Sequence, residues 1–359
     1  MRARHWMHGA PNRMQKKTDL RSLDEQGLAE FVREAGLPAY RARQLTHWLY
    51  DRLAREISDI TEFSKALRDE LSEVAYIGNL ALVERLQSGD GTEKYLFGLE
   101  DGHAVESVLI PDGDRMTLCI SSQVGCAMGC AFCRTARMGL VRNLRAHEIT
   151  AQVIEAMRMV GVGGRVTNIV MMGMGEPLNN MPEVVRALGT LAGPLGFSRR
   201  KITVSTSGLV PAMAELPRLL KRGMDMYVNL AVSLNATTDE VRSAIMPVNR
   251  RWPLAELIEA CRRYPLPPGR RITFEYVMLG GVNDTDADAE RLVRLLAEIP
   301  AKVNLIPFNP FEGSGFTRPS DERVDAFQQR LMSGGLTAFV RKSKGGDILA
   351  SCGQLMSGR

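Results

Sequence analysis

Short hydrophobic runs alternate with amphipathic stretches over most of the chain after residue 115. Apolar, β-branched runs predict six strands, at 117–121, 166–172, 201–206, 228–234, 272–278 and 303–308. The stretches between and after them predict six helices, at 147–160, 181–193, 211–222, 254–264, 286–298 and 321–334. This order predicts a parallel α/β sheet with helices outside it. The pattern fits an open doubly wound sheet and a partial barrel equally well.

The first third of the chain follows a different pattern. LDEQGLAEFVREAG and RARQLTHWLYDRLAREI repeat apolar residues at helical intervals, which predicts a small helical module. The next segment alternates like strands and is broken at SGDGT and EDGH, which are hairpin signals. We therefore divide the chain into a basic tail, a helical accessory domain, a β-rich connector, an α/β domain and a C-terminal loop, at 1–22, 23–76, 77–112, 113–342 and 343–359.

Charge adds a preference for a polyanionic partner. The chain has 46 basic and 41 acidic residues, a net charge of +5, and crowds basic side chains into its first residues. Further basic groups stand at predicted element ends: Arg199–Arg200–Lys201, Arg250–Arg251, Arg270–Arg271 and Arg341–Lys342. Such groups commonly cap helices in solvent. No apolar run is long enough to cross a bilayer and no secretory signal is present, which predicts a cytoplasmic protein.

The six cysteines indicate metal or redox chemistry rather than structural disulfides. Cys126, Cys130 and Cys133 lie within GCAMGCAFCRTARMG at C-x3-C-x2-C spacing. A tetrahedral zinc site would need a fourth ligand, for which His103 or His147 is available nearby. A cubane cluster held by three cysteines would instead leave one iron open for a non-protein ligand. Cys261 lies on the apolar face of a predicted helix and is expected in the core.

Unusual residues follow the predicted strands at their carboxyl ends, where parallel α/β folds place their active sites. The cysteine loop follows the first strand, GMGEP (173–177) the second and STSG (205–208) the third. Ser233–Leu234–Asn235 closes the fourth strand, and Asn309 follows the sixth. This convergence predicts a catalytic site at one end of the sheet.

The cysteine loop in this position resembles the signature of radical S-adenosylmethionine enzymes. The match narrows with LVRNLRAHEI, VMMGMGEPL, ITVSTSG, AVSLNA, IPFNPF and the terminal SCGQL. Together these stretches resemble the RlmN/Cfr family of radical S-adenosylmethionine RNA adenine methyltransferases, from about residue 23 nearly to the end. The resemblance implies a partial (β/α)6 barrel, a [4Fe–4S] cluster on the three cysteines, and two molecules of S-adenosylmethionine per turnover.

Family resemblance also implies roles for individual residues. Cys352 would carry a methyl group, and a 5′-deoxyadenosyl radical would activate that group for addition to adenine. Cys119 would resolve the resulting protein–RNA crosslink by forming a disulfide with Cys352, and Glu106 would accept the ring proton. The implied cofactor contacts are Gly175, Glu176, Ser205, Ser233, Leu234, Asn235 and Asn309.

The implied partners are 23S ribosomal RNA, transfer RNA and an electron donor such as flavodoxin. The protein itself is expected to be a monomer. GEP and STSG resemble the branch that methylates adenine C2, rather than the Cfr-type C8 branch. Two alternatives belong to other classes. A non-catalytic, zinc-bound RNA-binding protein would use the cysteines structurally, and a glycyl-radical activase would leave Cys119 and Cys352 without a role.

Overall fold

The chain folds into two compact units, one ending at Asn79 and the other beginning at Leu80. The computed structural model describes residues 17–161, 164–224 and 226–357. Most of the predicted basic tail, residues 1–16, lies outside these described residues. Within them, no helix is long and apolar enough to span a membrane.

The first unit is helical, as the periodicity predicts. Its elements are β1 (Thr18–Asp19), α1 (Glu25–Glu34), α2 (Tyr40–Tyr50), α3 (Lys65–Val74) and β2 (Ala75–Tyr76). Leu28, Val32, Leu45 and Leu49 form part of its buried core. The second predicted helix is shorter than expected: α2 ends at Tyr50 because Leu53 adopts a φ of +54°, which breaks the helix.

The first unit begins before the predicted domain boundary at residue 23. Strand β1 pairs in parallel with β2. Arg21 is buried, and its guanidinium donates to Gly78 O at 2.6 Å and to Ala54 O at 2.8 Å. A two-residue strand carries too little periodicity to be detected in the sequence, which is why residues 18–22 were assigned to the tail.

The second unit is built on a mixed sheet. Its strands are β3 (Ala81–Gln87), β4 (Glu93–Gly98), β5 (Ala104–Asp112), β6 (Arg115–Cys119), β7 (Gln123–Gly125), β8 (Leu140–Asn143), β9 (Asn168–Met171), β10 (Ile202–Thr206), β11 (Asn229–Ser233), β12 (Ile272–Met278), β13 (Ala301–Pro307) and β14 (Thr337–Val340). All but β7 and β8 join one sheet, in the order β14-β13-β12-β11-β10-β9-β6-β5-β4-β3. In this sheet, neighbouring strands from β3 to β6 pair antiparallel. Strand β6 then pairs in parallel with β9, and the pairs from β9 to β14 are also parallel. This arrangement confirms the predicted α/β class, with β3 and β14 as its two edges.

The helices of this unit are α4 (Arg134–Arg137), α5 (Ala146–Val160), α6 (Met181–Ala192), α7 (Val210–Met224), α8 (Asp239–Ile245), α9 (Leu254–Arg263), α10 (Asp286–Leu296) and α11 (Asp321–Ser333). The six predicted helices are confirmed to within a few residues. Helices α4 and α8 and strand β14 were not predicted, because four to seven residues rarely show a period. The strands from β6 through β9 to β14 run in the same direction, so their carboxyl ends meet at one end of the sheet.

Candidate active site

The three clustered cysteines lie on a loop that is anchored at both sides. Cys126 directly follows β7, and its amide donates to Gly139 O at 2.8 Å, beside β8. Ala131 N donates to Ile245 O, the last residue of α8, at 2.9 Å. Cys133 precedes α4. The hairpin β7–β8 and helix α8 therefore hold the loop against the carboxyl ends of the parallel strands.

One cavity at this end of the sheet collects most of the predicted site residues. Its wall contains Cys126, Cys130, Cys133, Gly175, Glu176, Ser205, Ser233, Asn235, Asn309 and Cys352. Three predicted residues are not in its wall: Leu234, Cys119 and Glu106. The side chain of Leu234 is fully buried, and its carbonyl accepts from Arg242 Nε at 3.0 Å.

The GMGEP stretch packs tightly against the end of β6 and the start of β7. Gly175 has a φ of +102°, and a Cβ there would lie 2.6 Å from Gln123 Cβ. A side chain is therefore excluded by the fold itself. Glu176 is buried, and its carboxylate accepts from Ser207 N at 2.6 Å and Leu178 N at 3.1 Å. Burial nevertheless raises the pKa of Glu176 above its ordinary value.

Asn235 fixes the turn that follows β11. It adopts a φ of +56°, its Oδ1 accepts from Val277 N at 2.7 Å, and its carbonyl accepts from Asn283 Nδ2 at 2.7 Å. Asparagine is among the residues that tolerate this left-handed conformation. The side chain thereby ties the ends of β11 and β12 together beside the cavity.

Hydrogen bonds at Cys352 and at the residues after it hold the C-terminal loop at the cavity. Arg134 N donates to Gly353 O at 2.8 Å, and Thr135 Oγ1 donates to Leu355 O at 2.6 Å. Asn309 Nδ2 lies 3.4 Å from Cys352 O. Cys352 is exposed, and it faces the cavity shared with the three clustered cysteines. Helix α4 thus couples the cysteine loop directly to the segment that carries Cys352.

Cys119 and Cys352 are both free thiols in different surroundings. Cys119 ends β6 in the hydrophobic core, where burial raises its pKa to about 12. Cys352 is open to the cavity, but the surrounding protein atoms desolvate its thiol and raise its pKa, while the nearby Arg341 guanidinium opposes that rise. A thiolate at Cys352 would add to the rise of the Cys119 pKa, which places the two thiols within electrostatic range of each other.

Glu106 lies in the middle of β5, buried rather than on a surface. Its Oε1 is 3.0 Å from Lys94 Nζ, and its Oε2 accepts from Met356 N at 2.8 Å. Burial raises the pKa of Glu106, and Lys94 opposes that rise. The carboxylate therefore contacts the same C-terminal loop that carries Cys352, four residues beyond it.

Three further charged residues at the site escaped sequence reasoning. Lys94 is a buried cation on β4, where the sequence predicts only an ordinary hairpin strand. Arg341, predicted as half of a solvated basic pair, is half-buried in the cavity wall. Glu275 is buried in β12, lines the cavity, and leaves Oε2 without a hydrogen-bond partner. The position of Arg341 after a parallel strand, and of Glu275 within one, could have identified these two residues as site candidates.

The site fits a three-cysteine cluster better than a zinc ion. Neither His103 nor His147 is in the cavity wall. A cubane instead takes one cysteine on each of three irons. The unpartnered Glu275 Oε2 is a buried acceptor that a polar cofactor would satisfy.

Comparison with known proteins extends over nearly the whole chain. Residues 120–296 match the radical SAM superfamily, and residues 18–77 match the ribosomal RNA large subunit methyltransferase N-terminal domain. The dual-specificity RNA methyltransferase RlmN of Pelobacter propionicus is 54% identical over 344 residues, which cover 95% of this chain and 96% of the relative. RlmN of Geobacter sulfurreducens is 53% identical over 344 residues, covering 95% and 93%.

A solved structure gives the same result. The crystal structure of a radical SAM methyltransferase from Sphaerobacter thermophilus has a TM-score of 0.89 to this chain at 48% identity, and the match covers 94% of this chain and 99% of that one. This similarity confirms the predicted radical S-adenosylmethionine fold with its N-terminal accessory domain. The chain belongs to the RlmN family of radical S-adenosylmethionine RNA methyltransferases.

Proposed function

We propose that this chain methylates C2 of a specific adenine in 23S ribosomal RNA and in transfer RNA. The observation that carries the proposal is the single cavity shared by Cys352 and the three clustered cysteines. Neither C2 nor C8 of adenine is nucleophilic enough to attack a methyl sulfonium directly. A site for this reaction therefore needs a radical source and a group that holds the methyl close to it.

The family's cofactors are a [4Fe–4S] cluster and S-adenosylmethionine. In our proposal Cys126, Cys130 and Cys133 hold the cluster as thiolates. Glu176, Asn235 and Asn309 contact S-adenosylmethionine, together with Gly175, Ser205, Ser233 and the backbone at Leu234. When bound, the cofactors supply a 5′-deoxyadenosyl radical by reductive cleavage of the sulfonium, and a further S-adenosylmethionine supplies the methyl group.

Cys352 is proposed as the methyl carrier, since it is the exposed thiol of the cavity wall outside the cysteine loop. Its loop is fixed through Gly353 and Leu355, so the sulfur is held beside the cofactor rather than on a free tail. Cys119 is proposed to release the product by forming a disulfide with Cys352. Because Cys119 is buried and its pKa is about 12, that step needs local opening or a base that removes the thiol proton.

Glu106 is proposed to take the proton from adenine. Its raised pKa suits a group that must gain a proton during turnover, while Lys94 keeps the free carboxylate ionised beforehand. In this structure the carboxylate is bonded to Met356 N, outside the cavity wall. The proposal therefore requires the segment around Met356 to shift when RNA enters.

The substrate assignment rests on the helical unit and on charge. We propose that the unit ending at Asn79 helps to recognise folded RNA, and that exposed basic groups contact phosphates. The target adenine would have to leave its stack to reach Cys352. A flavodoxin-like donor would supply electrons, and a monomer would act in the cytoplasm.

The test begins with anaerobic reconstitution using iron and sulfide. The loaded protein is then incubated with S-adenosylmethionine, reductant, and either a 23S fragment or transfer RNA. We expect 5′-deoxyadenosine and 2-methyladenosine from the wild type, and no methylated RNA from Cys352→Ala. Cys261→Ala is the matched control, because that thiol is buried in α9 outside the cavity. It should keep activity on both RNAs.

Other products would contradict specific parts of the proposal. A methyl group on C8 in the mass spectrum would move the chain to the Cfr-type reaction. A colourless protein that holds zinc and cleaves no cofactor would leave an RNA-binding module. Equal activity of Cys352→Ala and wild type would remove Cys352 as the carrier.

A further inference from the structure

Arg242 is a fully buried arginine whose direct hydrogen-bond acceptors are all neutral. Its exposed fraction is 0%, and by residue volume it is the largest completely buried side chain among the described residues. The guanidinium donates to Ser207 O at 2.7 Å, Leu234 O at 3.0 Å, Ser233 O at 3.1 Å and Asn249 Oδ1 at 3.0 Å. None of these groups carries charge, so the bonds satisfy its donors without neutralising it.

The carboxylate of Asp239 is linked to Arg242 through the side chain of Asn249. Asn249 Nδ2 donates to Asp239 Oδ1 at 2.9 Å, while the Asn249 oxygen accepts from the guanidinium. Asp239 is exposed at the start of α8, so solvent screens its charge. Burial lowers the pKa of Arg242 to about 10, which leaves the side chain protonated at neutral pH. A buried cation of this kind destabilises the fold unless an anion lies close to it.

The position of Arg242 suggests which anion that is. Three of the four bonds hold together the segments at the ends of β10 and β11, of which Ser207 and Ser233 line the cavity. One turn further along α8, Ile245 O holds Ala131 N, between Cys130 and Cys133. A thiolate at Cys130 would oppose the fall in the pKa of Arg242 that burial causes, which places the guanidinium within electrostatic range of Cys130. The guanidinium thus lies behind the cysteine loop, on the protein side of the cavity.

We infer that Arg242 is the buried counter-charge of the iron–sulfur cluster and raises its reduction potential. The inference rests on the proposed assignment of Cys126, Cys130 and Cys133 to the cluster. A cubane on three thiolates carries net negative charge, and reduction adds one electron to it. A nearby cation in a low-dielectric site lowers the energy of the reduced form more than that of the oxidised form. The same anion offsets the cost of burying Arg242.

The test compares Arg242→Gln with Arg242→Lys, each reconstituted anaerobically. Iron and sulfide analysis first establishes whether the cluster is present, and a potentiometric titration followed by electron paramagnetic resonance then gives its midpoint potential. We expect the glutamine variant to shift to a more negative potential, beyond the scatter of repeat titrations. The lysine variant, which keeps the charge with fewer bonds, should stay near wild type. Arg291→Gln is the control, since Arg291 is already paired with Asp288 at 2.6 Å and lies outside the cavity wall.

The outcomes separate this inference from the function on which it rests. Wild-type protein that takes up no iron would refute the cluster assignment itself. If the glutamine variant contains the cluster and its midpoint potential is unchanged, the inference is overturned. Arg242 would then serve only to hold the loops together through its hydrogen bonds. If the glutamine variant does not fold, the lysine variant decides. A lowered potential there, with the charge retained, would also overturn the inference.

Discussion

Lys94 Nζ and Glu106 Oε1 lie 3.0 Å apart in a pair whose side chains are only 10% and 7% exposed. The two residues stand on the adjacent strands β4 and β5, and Met356 N donates to the other oxygen of Glu106. An ion pair this buried loses most of its hydration, so each charge depends on its partner. Lys94 therefore keeps a carboxylate ionised that burial alone would protonate more readily.

Replacement of Lys94 by methionine should move the acid side of the pH–activity profile to higher pH. Burial raises the pKa of Glu106 and Lys94 opposes that rise, so loss of the lysine raises this pKa further. Glu106 must be ionised to accept a proton. At a given pH, a smaller fraction of Glu106 will be ionised in the variant than in the wild type. Initial rates of RNA methylation between pH 5 and 9 give the profile.

Arg85→Met provides the matched control for that profile. Arg85 is a partly exposed cation that pairs with Glu93 across β3 and β4 at 2.8 Å. Its loss should leave the acid limb in place, because exposed pairs contribute little. Superimposable acid limbs for Lys94→Met and wild type would show that Glu106 does not limit the rate as a base.

Arg341→Met should slow methylation of Cys352 at neutral pH. The guanidinium lines the cavity and opposes the burial that raises the pKa of Cys352. Without it that pKa rises further, which leaves less thiolate at neutral pH to accept the methyl group. Intact-protein mass spectrometry of the S-methyl product follows this half-reaction without RNA.

The pH dependence distinguishes this electrostatic effect from a packing defect. The rate of Arg341→Met should recover as pH rises and the thiolate forms, whereas a deformed cavity would stay slow at every pH. Lys342→Met is the neighbouring control, since Lys342 is exposed and should not affect the thiol. A methylation rate for Arg341→Met that equals wild type at pH 7 would refute the assigned effect.

Most of the fold could be predicted because its strands and helices repeat their apolar residues over many positions. Strand β12 matches its predicted limits, and α5 differs from its prediction by one residue. Helix α8, by contrast, spans seven residues and gave no pattern. That helix carries Arg242 and anchors the cysteine loop, so the undetected element is central to the site.

The site could be predicted where residues follow strands in a recognisable motif. The three cysteines and Glu176 stand in such motifs, and the structure brings them into one cavity. Lys94 could not be predicted, because its importance depends on burial and on a partner on the neighbouring strand. Sequence patterns report which face a residue occupies, but pairing between strands sets which charges meet.

Gly175→Ala should destabilise the fold far more than an ordinary glycine substitution. The residue has a φ of +102°, and its new Cβ would lie 2.6 Å from Gln123 Cβ and 2.8 Å from Gln123 N. Strain and overlap together predict a loss of about 2–4 kcal/mol. Gly281→Ala is the control, with a φ of +73° and nothing within 4 Å of its Cβ.

Thermal unfolding of the protein without cofactors measures this difference. Gly281→Ala carries only the backbone strain, about 1–2 kcal/mol. Equal shifts in Tm for the two variants would mean that Gln123 moves aside freely. Since Glu176 N donates to Gln123 Oε1 at 2.8 Å, such a movement would also have to preserve the position of Glu176.

Glu275→Gln should weaken the binding of S-adenosylmethionine. Asn304 Nδ2 donates a hydrogen bond to Glu275 Oε1 at 3.0 Å. Glu275 Oε2 is buried in the cavity wall without a hydrogen-bond partner. A ligand hydroxyl or ammonium that donates to this oxygen would restore a bond of about 1.5–3 kcal/mol, so its loss costs about tenfold or more in Kd. Equilibrium dialysis against the reconstituted protein measures the affinity, with iron content checked in parallel. Glu290→Gln, an acid on the surface of α10 with a side chain 51% exposed, should bind as wild type does. An unchanged Kd for Glu275→Gln with full iron content would show that Oε2 does not meet the cofactor.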